Sequence, residues 1–257
     1  MKLISHSFKF TRRENCCSIV TAVNQFNPAS PSLVVSTHLD DAVLSCGQLL
    51  SVSPETTVLT VLAGAPNELR KGYNAVTTGE LYAPDAVRTR RNEDTAAMEY
   101  LSVRSPEWLE LFDSDFINWR RLDRTRRRKD RDELRVAVRD SIRKINPKSV
   151  ITPLGLVHQD HLAVADACIE LSKEFDVEWF LYLDMPYAQR LSKGFKKREI
   201  AVTRILKLEE LDHLPIVGDK KHNAFKIYAS QYSPLGGGGP QLDQELMTPE
   251  MYWRVLK

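Results

Sequence analysis

The strongest constraint in this sequence is its alternation of short apolar runs with helical patterns. SLVVST (32–37) is β-rich and nearly continuous in apolar residues, as a strand buried on both faces must be. Residues 41–51 follow with Ala42, Val43, Leu44, Leu49 and Leu50 in a helical pattern, and TTVLTVLAG (56–64) reads as a second buried strand. Strand, helix, strand in that spacing is a βαβ unit, whose strands are parallel and whose crossover is right-handed.

The alternation continues along the chain. Residues 85–101 read as a long helix, 107–112 (EWLELF) as a strand, and 132–145 as a helix with Leu134, Val138, Ile142 and Ile145 at helical spacing. SVIT (149–152) is another buried strand, 162–171 a helix, and EWFLYL (178–183) a strand. EIAVTRIL (199–206) reads as a strand near an edge, and 220–232 as a helix. The expectation is one α/β domain over residues 1–257, built on a mostly parallel sheet.

Composition removes several alternatives. Lys and Arg total 36 against 34 Asp and Glu, a formal net charge of +2, whereas a dedicated nucleic-acid binder carries a strong basic excess. The first twenty residues have no apolar h-region, since Lys9, Arg12, Arg13 and Glu14 interrupt every candidate, so no signal peptide is expected. No run approaches the ~18–20 apolar residues of a membrane span. Cys16, Cys17, Cys46 and Cys168 form neither a CxxC pair nor a disulfide framework. These features together read as a cytoplasmic protein.

Two segments stand apart. Residues 120–131 hold eight basic side chains, read as a solvated loop entering the next helix, with an anionic substrate or partner as the functional alternative. Residues 236–239 are four glycines, read as a flexible loop, because no Lys and Ser/Thr follow as in a phosphate loop.

The chemistry concentrates in two motifs. THLDDA (37–42) ends the first strong strand, and HQDH (158–161) follows the strand at 149–152. In open parallel sheets ligands bind beyond the carboxyl ends of the strands, so one crevice can collect three of the six histidines and three carboxylates. His38 and Asp41, at i and i+3, can meet at a helix-opening turn, and His161 supplies a third ligand. Imidazole plus carboxylate suits zinc, which in catalytic sites takes three protein ligands and a water. Asp40 is placed to take a proton from that water, whose pKa zinc lowers to about 7. His158 and Asp160 complete the set, the imidazole held protonated beside its carboxylate to stabilise an oxyanion or donate to a leaving amine. Singly, Asp40 or Asp41 is explained as a helix cap. His6, His213 and His222 have no such neighbours and read as structural.

SLVVSTHLDDAVLSCGQLL resembles the first motif of the LmbE/PIG-L superfamily of zinc-dependent N-deacetylases, in the branch written His-Leu-Asp-Asp-Ala. His158–x–Asp160–His161, after Pro153-Leu154-Gly155, matches the second motif. Arg90, Glu93, Ala97 and Leu101 follow the family's Arg-x-x-Glu-x-x-x-Ala pattern, and LDMPYA (183–188) and Ser230-Gln231 also have counterparts. The resemblance spans about residues 32–232, with 1–31 and 233–257 as extensions packed on that core. It implies a Rossmann-like three-layer sandwich. It implies one Zn2+ per chain held by His38, Asp41 and His161, with Asp40 as base and His158, supported by Asp160, as acid or stabiliser. The implied substrate is a small N-acetylated amino sugar or glycoconjugate, whose N-acyl amide is hydrolysed. Some members carry a tyrosine where this chain has Leu156; Tyr187 is the candidate replacement. A two-metal phosphoesterase and a non-catalytic sugar-binding protein on the same fold are the alternatives.

Overall fold

The structure, a computed structural model, describes residues 26–65, 83–104, 106–114, 124–187, 192–236 and 240–257. Most of the loop at 64–84, the start of the basic run (120–123), glycines 237–239, His6, Cys16, Cys17 and Arg70 lie outside the described residues.

The expected βαβ unit is present as β1 (Ser32–Ser36), α1 (Asp41–Val52) and β2 (Thr56–Thr60). The chain continues through α2 (Ala83–Leu101), β3 (Glu107–Trp108), α3 (Arg124–Ile145), β4 (Ser149–Pro153), α4 (Gln159–Leu171) and β5 (Glu178–Tyr182). Then come α5 (Ser192–Thr203), β6 (Lys207–Glu210), α6 (Lys220–Lys226), α7 (Ala229–Gly236), α8 (Pro240–Leu246) and β7 (Tyr252–Leu256).

The seven strands form one sheet in the order β3-β2-β1-β4-β5-β7-β6. Strands β3, β2, β1, β4 and β5 are parallel, with Ser32 aligned to both Thr56 and Ser149. β7 runs antiparallel between β5 and β6, so the C-terminal residues are part of the sheet itself. The strand order reverses between β1 and β4, which opens a crevice at their carboxyl ends.

Alternation along the strands sorts the core into layers. Val34, Val58, Ile151 and Phe180 face α1, α2, α6 and α8 through Leu50, Met98, Phe225 and Leu246. Leu33, Val35, Leu59 and Val150 face α3 and α4 through Leu134, Val138, Ile142, Val164 and Leu171. The result is the expected three-layer α/β architecture. No helix among the described residues is long and apolar enough to cross a membrane.

Four expectations change, the first being the single helix at 220–232, which is broken after Lys226 into α6 and α7. Residues 199–206 do not form an edge strand: α5 covers most of them, and the edge strand is β6. Phe195, Val202 and Leu206, at helical spacing, pack with Leu181 and Trp253, while Ile200 and Ile205 stay exposed. Packing overrides the β-branched composition there. The basic run is helical from Arg124 onward, consistent with the good helix propensity of Arg and Lys. The strand at 107–112 shrinks to Glu107–Trp108 plus an isolated bridge between Leu62 and Glu110.

Candidate active site

Both sequence motifs meet in the crevice beyond β1 and β4. The β1–α1 turn is held by Ser36, whose Oγ donates to His38 O (2.7 Å) and accepts from Ala42 N–H (3.1 Å). Ser36 thereby takes over a capping duty, and the Asp40 carboxylate, at the N-cap position, makes no capping bond. Asp41 folds back instead: its Oδ2 accepts from His38 N–H at 2.9 Å and lies 3.2 Å from His38 Nδ1.

The second motif arrives through a tight turn. Gly155 has φ +84°, and a Cβ there would lie 2.6 Å from Ala165 Cβ and 3.0 Å from His161 O, so a side chain is excluded. This packing delivers α4 with His161 inward. His161 Nε2 lies 3.2 Å from Asp41 Oδ2. His38 Nδ1, Asp41 Oδ2 and His161 Nε2 therefore converge.

Their spacing fits a metal. Tetrahedral zinc with bonds of ~2.0–2.1 Å requires donor atoms about 3.3 Å apart, and both nitrogens stand 3.2 Å from the shared oxygen. His161 Nε2 is buried with no hydrogen-bond partner, a costly state for a polar atom unless a ligand completes it. The far nitrogen of each ring faces a carboxylate. His38 Nε2 is 3.2 Å from Asp160 Oδ2, and His161 Nδ1 is 2.6 Å from Asp184 Oδ1. Metal-bound histidines are commonly oriented this way.

Electrostatics favour a cation. Asp40, Asp41, Asp113, Asp160 and Asp184 place five buried carboxylates around these rings. Burial works against charge on His161, yet Asp41 and Asp184 outweigh it and lift the ring to about 10. For His38 the same contest is won by Asp113, Asp160 and Asp41. Asp41 resists the effect of burial through His161 and His38 and lies well below the usual carboxylate range. The pull that retains protons on these imidazoles is the pull a metal ion would meet.

The remaining expected residues are also here. Asp40 is pushed up to about 6 by burial and by the charge of Asp41, against Arg90, whose guanidinium lies 3.8 Å away. His158 is lowered by burial and by His38, so its ring is neutral near pH 7 rather than held protonated. Asp160 lies 3.8 Å from His158 Nδ1 but closer to His38, and it accepts from Ser114 N–H at 3.0 Å. Burial would raise Asp160, yet the His38 contact brings it down to about 2. Tyr187 sets its ring edge-on to His161 at 5.1 Å between centroids. Among the described residues a second donor group, His38, His158 and Asp160, shares His38 with the first.

His213 pairs with exposed Glu210 and His222 with Asp243, outside both donor groups. Two residues at the site were not assigned from sequence. Asp184 lies two residues beyond the end of β5, so the strand-end rule that located the two motifs applies to it as well. Asp113, 3.6 Å from His38 Nε2, directly follows the strand expected at 107–112, so the same rule reaches it.

The sequence profile described as "PIG-L: GlcNAc-PI de-N-acetylase" matches residues 33–172, more than half of the chain and both motifs. The chain belongs to the PIG-L family. It is accordingly a hydrolytic N-deacetylase by family. Comparison with curated proteins gives no match. Among solved structures, the zinc-inhibited form of teicoplanin deacetylase Orf2 is 26% identical with a TM-score of 0.70, covering 88% of this chain and 97% of its own. The A40926 pseudoaglycone deacetylase Dbv21 is 26% identical with a TM-score of 0.67, covering 88% and 96%. N,N'-diacetylchitobiose deacetylase from Pyrococcus horikoshii, at 16% identity, TM-score 0.50 and coverage of 88% and 83%, shares the fold. The PIG-L assignment accounts for the pairing of the two motifs across the sheet's switch point.

Proposed function

We propose that this PIG-L chain is a zinc-dependent N-deacetylase that removes an N-acyl group, an acetyl in the simplest case, from an amino sugar within a larger conjugate. The observation that carries the reading is the convergence of His38 Nδ1, Asp41 Oδ2 and the unpartnered His161 Nε2 at 3.2 Å spacings. His38, Asp41 and His161 would hold one zinc ion per chain. Zinc, when bound, supplies an acidified water and polarises the amide carbonyl.

The chain's own residues do the rest. Asp40 takes the proton of the attacking water, and its ordinary range is shifted by burial toward neutrality, where a base that must also release its proton works well. The oxygen of that water bonds to the carbonyl carbon. As the C–N bond breaks, the proton on Asp40 passes to the leaving nitrogen, giving a carboxylic acid and a free amine. His158, half exposed at the crevice mouth, donates a hydrogen bond to the oxygen where negative charge develops. Asp160 and Arg90 orient His38 and Asp40. One α/β domain carries the whole set.

The neighbours are deacetylases named for teicoplanin and A40926 pseudoaglycone. Their similarity over nearly the whole of their own length supports a bulky sugar-bearing substrate. The phosphoesterase alternative loses support from the shared His38: its Nε2 faces Asp160 as an orienting partner. The test is acetate release from a panel of N-acetylated amino sugars and glycopeptides by zinc-loaded protein. Stoichiometric acetate and amine support the proposal; cleavage of phosphoesters with no amide hydrolysis contradicts it.

A further inference from the structure

Asp184 lies outside both motifs and outside the matched residues 33–172, yet it is fully buried against the candidate metal site. Its Oδ1 is 2.6 Å from His161 Nδ1, and its Oδ2 accepts the Gly155 N–H at 2.9 Å. Both oxygens therefore act as acceptors. Two facing acceptors at 2.6 Å would repel, so Nδ1 bears the proton. In a neutral imidazole that leaves the lone pair on Nε2, the atom that is buried without a partner and faces Asp41.

We infer that Asp184 is a positioning residue that fixes the tautomer and the angle of His161, making it a metal ligand in advance of the metal. One carboxylate ties three elements together: the turn after β4 through Gly155, the first turn of α4 through His161, and the end of β5 through its own backbone. The glycine matters here. Gly155 has φ +84° with no room for a Cβ, and its N–H is the contact that holds the second Asp184 oxygen. The arrangement is the counterpart of Asp160 facing His38 Nε2, so each candidate ligand histidine is oriented by its own carboxylate. The inference rests on the metal reading of the proposed function.

The experiment compares wild type with Asp184→Asn by zinc competition against a chelator of known affinity, beside the melting temperature of each zinc-free protein. The amide keeps the shape but is a weaker, uncharged acceptor. Zinc affinity is expected to fall about 10–100-fold, with occupancy restored at high zinc. A lowered melting temperature with unchanged zinc affinity would mean that Asp184 only holds the turn, and would overturn the inference. If the variant does not fold, nitrogen NMR of histidine-labelled, zinc-loaded wild type decides. A protonated Nδ1 on His161 with slow exchange supports the inference, and an unprotonated Nδ1 refutes it. Wild type that binds no zinc removes the metal reading and this inference together, a result distinct from the two in which only Asp184 fails.

Discussion

Helix α1 carries Asp41 at its first turn, and a buried ion pair grips its middle. Glu250 and Lys221 have side chains with 0% exposure, and Lys221 Nζ lies 2.9 Å from Glu250 Oε1. The same carboxylate accepts the backbone N–H of Gln48 (2.8 Å) and Leu49 (3.1 Å) and the Tyr252 hydroxyl (2.7 Å). Gly47 makes room for this: a Cβ there would lie 2.7 Å from Lys221 Cγ. Glu250→Gln removes the one charge paired with Lys221 Nζ among the described residues and turns one acceptor oxygen into a donor facing donors. Breaking one side of a buried pair costs about 3–5 kcal/mol. In a protein of this size that lowers the melting temperature by roughly 6–20 °C. The assay is urea and thermal unfolding of Glu250→Gln beside the double variant Lys221→Met/Glu250→Gln. The double variant leaves no buried charge and is expected to recover much of the loss. A single-variant cost below about 1 kcal/mol, or a double variant no better than the single, would refute the desolvated pair.

Other consequences are open to direct measurement. Asp40→Asn should retain zinc and lose at least about 10²-fold in turnover, the usual contribution of a positioned base; wild-type-like acetate release would remove Asp40 from that role. Val157, a β-branched residue at φ +57° and 48% exposed, sets the turn that presents His158. Left-handed backbone costs a non-glycine residue about 1–2 kcal/mol, against about 0.5–1 kcal/mol of extra chain entropy for glycine. Val157→Gly should therefore match or exceed wild type in melting temperature while kcat falls, and a clear loss of stability would contradict the strain. Buried Asp94 accepts from Trp108 Nε1–H (2.8 Å) and the Tyr228 hydroxyl (2.6 Å) and is pushed up to about 6, chiefly by burial. Its folded state holds a proton that the unfolded chain releases near pH 4, so its contribution to stability is present below that range and is lost as pH rises to about 6. The loss is about 3 kcal/mol. Urea midpoints between pH 4 and 7 should fall less steeply in Asp94→Asn than in wild type; parallel slopes would contradict the shift.

The parts of the fold legible in the sequence are those whose signal is local. β1, β2, β4 and β5 are buried on both faces apart from Glu178 at the start of β5, so each reads as a short β-rich run with an apolar centre, and the two motifs declare themselves at strand ends. Segments that take their structure from distant partners were not legible. α5 resembles a strand until Val202 and Leu206 are seen to pack on Trp253. β7 is read only as a C-terminal segment, because its pairing with β5 joins Phe180 to Arg254. Lys221 and Glu250 carry no motif, since what makes them partners is the fold. Asp184 falls between these cases: its place after a buried strand was visible, but its hydrogen bond to His161 depends on the turn at Gly155.

Under the proposed function, His38, Asp41 and His161 hold one catalytic zinc. This is tested most directly by the metal content of purified protein, wild type beside His161→Ala. About one zinc per chain is expected in wild type and its loss in the variant, with the fold intact by circular dichroism. Wild type that takes up no zinc on incubation, or a variant that retains it, would remove these three residues as the metal ligands.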